Sequence, residues 1–134
     1  MEGYRHRIMD SLLEKKLQAK GAVLIEGPKW CGKTTTAEEI AASKILLART
    51  DVKNNFKSLL EIDTDAALSG DAPMLIDEWQ TVPKLWDAVR YTVDHRRKMG
   101  QFILTGSAVP DKEAEEEREH SGTGRFAWLT MRPM

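Results

Sequence analysis

The chain has 134 residues, with 20 basic against 21 acidic side chains for a net charge of -1, and a single cysteine, Cys31. That length suits one domain around one core, the near-neutral balance excludes a global electrostatic footprint for nucleic acid or an anionic membrane, and one cysteine excludes an intrachain disulfide. The apolar runs are far too short to cross a bilayer and no signal-peptide pattern opens the chain, so a reducing cytoplasm is the expected setting.

Leu12, Leu13 and Leu17 repeat at helical spacing and predict a helix over 7–20, stopped by Gly21. Ala22-Val23-Leu24-Ile25 is a short apolar run of the kind that forms a buried strand, and it leads into Gly27-Pro28-Lys29-Trp30-Cys31-Gly32-Lys33-Thr34. These residues have the GxxxxGKT spacing of a phosphate-binding loop. Two glycines let the backbone curl so that successive N–H groups point inward, and a helix starting near Lys33 adds the positive end of its dipole. An anion of triphosphate size fits such a cradle, formed by Gly27, Pro28, Lys29, Trp30, Cys31 and Gly32. Lys33 is expected to reach the β- and γ-phosphates of ATP, Thr34 to offer its hydroxyl to Mg²⁺, and Thr35 to touch the α-phosphate. Cys31, near a helix N-terminus, is placed where a thiolate is favoured, although a small residue that merely fits the loop is the plainer account.

Past the loop, Thr36 to Ser43 is rich in Ala and Glu and reads as helix. Short apolar runs then recur at Ile45-Leu46-Leu47-Ala48, Met74-Leu75-Ile76, Phe102-Ile103-Leu104 and Phe126-Ala127-Trp128-Leu129, with helix-length segments between them. The alternation predicts a three-layer α/β sandwich with a mostly parallel five-stranded sheet whose strands are apolar throughout because both faces are covered. Leu85, Val89 and Val93 share one stripe of a helix over Lys84 to Lys98, with Trp86 beside them. His95-Arg96-Arg97-Lys98 falls at the C-terminal end of that helix, where positive charge is favoured by the dipole.

The run Met74-Leu75-Ile76 ends in Asp77-Glu78, two adjacent carboxylates. Asp77 is expected to hold Mg²⁺ through water and Glu78 to polarise an attacking water, the two facing different sides as successive residues leaving a strand do. Phe102-Ile103-Leu104 likewise ends in hydroxyls, Thr105 and Ser107, either of which suits contact with a γ-phosphate or capping of a turn. In an open parallel sheet ligands sit at the carboxyl ends of strands, and Gly27, Asp77 and Thr105 all fall there. The segment 110–120, which includes Lys112 to His120, is dense in charge and reads as a solvated loop or helix. Trp86 and Trp128 read as core, while Trp30 and Trp79 adjoin the two nucleotide motifs and packing is the plainer account of each.

Together these residues resemble the AAA-type ATPases (AAA+), in the additional-strand, catalytic-glutamate class of phosphate-loop proteins, and in particular a prokaryotic branch carrying a C-terminal domain of unknown function. The likeness rests on Tyr4-Arg5-His6-Arg7-Ile8, the loop, Leu75-Ile76-Asp77-Glu78-Trp79-Gln80, Ile103-Leu104-Thr105-Gly106-Ser107, and Ser121-Gly122-Thr123-Gly124-Arg125 leading into Met131-Arg132-Pro133-Met134. The resemblance implies one core domain over 1–134, a loop strand placed centrally beside those ending at Thr105 and Asp77, and Thr105 or Ser107 as first sensor. It also implies Arg125 as an arginine finger acting on a neighbouring subunit of a homo-oligomer. Against that pattern, the family's helical lid and C-terminal domain are expected to be missing from this chain, so slow turnover is expected. The expected function is Mg²⁺-ATP binding and hydrolysis coupled to an unknown protein or DNA partner, with no membrane. A non-catalytic nucleotide-binding module, a truncated remnant or a small-molecule kinase are the alternatives.

Overall fold

The computed structural model describes the backbone of residues 2–27, 33–106 and 126–130, and side chains within 11–27 and 37–106 and at 127. Its elements in chain order are α1 (Glu2–Ala19), β1 (Ala22–Glu26), α2 (Lys33–Ile40), β2 (Ser43–Leu46), α3 (Thr50–Ile62), α4 (Thr64–Ala67), β3 (Met74–Asp77), a 3-10 turn (Trp79–Thr81), α5 (Lys84–Arg96), β4 (Phe102–Gly106) and β5 (Phe126–Thr130). The five strands form one sheet in the order β2-β3-β4-β1-β5. Every pairing is parallel, so all five carboxyl ends lie on one edge.

The pleat sorts the strand residues into two cores, because successive side chains point to opposite faces. Ala22, Leu24, Met74, Ile76, Phe102 and Leu104 pack with α3, α4, the 3-10 turn and α5. Val23, Ile25, Leu75 and Ile103 pack on the other face with Leu13 and Leu17 of α1 and Ala37 of α2. Helices cover both faces, which explains why β1, β3 and β4 are almost continuously buried while β2, at the sheet's edge, is only partly so.

Several expectations shift by a few residues, each for a local reason. Helix α1 begins at Glu2, ahead of residue 7, since apolar spacing marks where a helix packs and is silent on where it starts. Of its leucines, Leu13 is fully buried but Leu12 is 39% exposed, so the packed stripe is Leu13 and Leu17. Helix α2 stops at Ile40, short of Ser43, because the Ala42 N–H already donates to the Pro73 carbonyl and draws the chain into β2. Strand β2 accordingly runs from Ser43 to Leu46, and Leu47 leaves it to enter the core. Helix α5 ends at Arg96, since Arg97 turns left-handed (φ 53) with its N–H on the Val93 carbonyl.

The strand order also corrects one expectation: β1 is flanked by β4 and β5, and β3 lies beyond β4. The loop strand therefore neighbours the strand of Thr105 but not that of Asp77. Arg96 is committed to the fold: its guanidinium donates to the Leu68 carbonyl at 2.9 Å and the Gln101 carboxamide at 3.3 Å, and lies 5.6 Å from the Phe102 ring centre. Trp86 is core as expected, whereas the segment 110–120 and the Trp128 side chain lie outside the described residues.

Gly21, between α1 and β1, is seated against α5 so closely that a Cβ there would overlap the methyl groups of buried Val93. Gly21→Ala is therefore expected to destabilise the fold by about 1–3 kcal/mol through overpacking, read as a lowered urea midpoint with an unchanged slope.

Candidate nucleotide site

The carboxyl edge of the sheet carries the candidate residues in a row. Asp77 closes β3, Thr105 and Gly106 close β4, and Gly27 follows β1, with the Gly27 N–H donating to the Gly106 carbonyl at 3.3 Å. Helix α2 then begins at Lys33, on the sheet face that its Ala37 helps to cover. Its first N–H groups have no partner within the helix, so an anion is favoured at that end.

Asp77 and Thr105 are register partners, and alternation places both on the face that α2 covers, continuing the series of Leu75 and Ile103. Both are buried, Thr105 completely and Asp77 to 9% exposure. The Thr105 hydroxyl donates to Asp77 Oδ1 at 2.5 Å, a short charge-assisted bond that orients a carboxylate which packing alone would not accommodate.

Glu78 behaves differently. Its backbone is left-handed (φ 58, ψ 46), so strand alternation stops at Asp77 and does not set the direction of the next side chain, contrary to the expectation from the pleat. A left-handed non-glycine residue costs about 1–2 kcal/mol, a strain that persists only when neighbours impose it. Here the Glu78 carbonyl accepts from the Thr81 N–H and the Thr81 hydroxyl, at 3.2 and 2.9 Å, closing the 3-10 turn. Trp79 is 4% exposed, with its ring 5.4 Å from that of Trp86, so it anchors the turn in the core. The Gln80 carboxamide donates from Nε2 to Glu78 Oε2 at 2.5 Å.

The sequence motif contains Gln80 and Gly106, but residue type alone assigns neither a role; the Glu-x-Gln spacing on a turn is the available signal. Lys33, Thr34 and Thr35 open α2 with side chains outside the described residues. Pro28, Lys29, Trp30, Cys31, Gly32, Ser107 and Arg125 likewise lie outside the described residues. Of the candidate set, the structure thus brings together Gly27, Asp77, Glu78 and Thr105.

An all-parallel sheet with helices on both faces and polar residues at its carboxyl edge is the architecture of a nucleotide-binding core of the AAA-type ATPases. The chain belongs to the AAA domain family, whose model matches residues 19–134. It is similar to the uncharacterized protein Rv2008c of Mycobacterium tuberculosis, with 33% identity over 100 residues that span 74% of this chain and 22% of that protein. The uncharacterized protein Mb2031c of Mycobacterium bovis matches with the same identity and the same coverage. The matched region is therefore less than a quarter of the length of these relatives. Among solved structures it resembles C. elegans PCH-2, with a TM-score of 0.50 and 15% identity, covering 98% of this chain and 42% of that one, a likeness of fold alone.

Replacing Thr105 by Val removes the donor to a buried carboxylate at nearly constant volume. Thr105→Val should lose about 1–3 kcal/mol of stability by urea unfolding, whereas Thr105→Ser, which keeps the hydroxyl, should lose markedly less.

Proposed function

We propose that this chain binds Mg²⁺-ATP at the carboxyl edge of its sheet and hydrolyses it. The observation that carries the reading is the Asp77–Thr105 pair, buried and hydrogen-bonded on the face covered by the helix that follows the phosphate loop. In this reading Lys33 binds the β- and γ-phosphates, Thr35 the α-phosphate, and the backbone of 27–32 surrounds them. Thr34 and Asp77 hold the metal, Asp77 through water. No cluster of three or more His, Cys, Asp or Glu that could hold a metal occurs among the described residues. The donor set nevertheless fits magnesium, which takes one or two carboxylates and completes its shell with water and substrate phosphates. When bound, the ion supplies charge neutralisation at the phosphates.

Glu78 then accepts a proton from the attacking water, and of Thr105 and Ser107 the latter senses the γ-phosphate, since the one hydroxyl proton of Thr105 is committed to Asp77. Arg125 serves a neighbouring subunit in a homo-oligomer. The reading takes residues 1–134 as one core domain in a cytoplasmic setting, coupled to a protein or DNA partner. No helix among the described residues is long and apolar enough to cross a membrane.

Two measurements test the proposal. Mg²⁺-ATP should change the intrinsic tryptophan fluorescence, and Lys33→Ala should abolish that change; a flat titration of the wild type at millimolar ATP counts against binding. Glu78→Gln should keep the fluorescence response while hydrolysis falls on the order of 100-fold or more. Binding without hydrolysis in the wild type would leave a nucleotide-binding module instead of an enzyme.

A further inference from the structure

We propose that Gln80, seated over Gly106, is the positioning residue for Glu78. The inference rests on the reading of Glu78 as the group that takes the proton from water. Because Glu78 has left the strand geometry, the sheet does not aim its side chain, and a glutamate with three rotatable torsions needs another restraint to act from one place. The Gln80 carboxamide provides that restraint through its bond to Glu78 Oε2.

The direction of the amide follows from chemistry. An ionised carboxylate only accepts, so the amide nitrogen must face Glu78 and the amide oxygen must point away. That oxygen, Oε1, is buried, and among the described residues it has no hydrogen-bond partner. It lies over the end of β4, where a Cβ on residue 106 would sit 2.6 Å from Gln80 Oε1 and 3.0 Å from Trp79 Nε1. A glycine at 106 is what lets the carboxamide lie flat enough to reach Glu78. An alanine would displace the free end of the Gln80 side chain and would also press on the indole of buried Trp79, so it carries a cost to the fold that Gln80→Met does not.

Strand β4 thus acts on both carboxylates from its last two residues, which point to opposite faces. Thr105 holds Asp77 on the α2 face, and Gly106 makes room for Gln80 on the other. Gln80 does not itself touch the nucleotide in this scheme; it acts through Glu78.

The test compares Mg²⁺-ATP hydrolysis by the 134-residue protein with that of Gln80→Met, Gly106→Ala, the double variant and Glu78→Gln. Methionine keeps the length of glutamine and loses the donor. Gln80→Met should lower kcat roughly 10- to 100-fold while KM for ATP and the melting temperature stay close to wild type, and Gly106→Ala should lower kcat to a similar extent with a reduced melting temperature from its contact with Trp79. The double variant should be no worse than either single one, because both act through the same bond. Full turnover in Gln80→Met alongside its loss in Glu78→Gln would overturn this inference alone. Multiplied losses in the double variant would also overturn it, as would a fall in the activity of Gln80→Met that tracks a fall in its melting temperature. Full turnover in Glu78→Gln, or no measurable turnover in the wild type, would overturn the underlying reading and this inference with it.

Discussion

The Thr105 hydroxyl and the Asp77 carboxylate meet inside the protein, where a charge is tolerated only if it is hydrogen-bonded and held. That meeting requires β3 and β4 to be adjacent, parallel and in the register that sets Asp77 opposite Thr105. The rest of the fold can be understood as what enforces this register. Met74, Ile76, Phe102 and Leu104 are locked by one core, Leu75 and Ile103 by the other, and a slip of one residue would turn every one of these side chains to the wrong face.

The two cores also divide the labour at the sheet's edge. The α1 and α2 side receives Asp77 and Thr105 together with the start of the helix that follows the phosphate loop. The opposite side, built on Trp79, Trp86 and α5, shapes the turn after Asp77 and gives Glu78 its left-handed backbone. The placement of Asp77 and the geometry of the following carboxylate are therefore set by different packing layers that share β4. This sharing explains why the strand ends in a side chain that donates followed by one that is absent, since a hydroxyl is needed on one face and empty space on the other.

Much of the fold was legible in the chain. Each strand other than β2 was marked by an apolar run placed within a residue or two, and the uniform apolarity of those runs announced a sheet covered on both faces. The boundary of the edge strand β2 is not legible in its own apolar run, because it depends on where Pro73 accepts a hydrogen bond, a contact 31 residues away from Ala42. The start of α1 was misread because polar residues ahead of Leu12 neither end a helix nor reveal one. The strand order departs from expectation in one respect, since which strand separates β1 from β3 is a matter of long-range pairing that no local pattern carries.

At the sheet's carboxyl edge, residue type and spacing pick out Gly27, Asp77, Glu78 and Thr105, because a glycine and polar residues ending apolar strands stand out against a buried sheet. The strand period even sets Asp77 and Thr105 on one face once the register is known. The amino-acid sequence by itself thus determined the layers and the polar edge, which follow from periodicity and from the polar residues that end apolar strands. Only the tertiary structure decided which polar groups face each other: Thr105 on Asp77, Gln80 on Glu78, and Gly106 beneath the carboxamide. Those contacts join residues from different elements through a left-handed turn and a close approach of backbone to side chain, and such geometry exists only after the strands have paired.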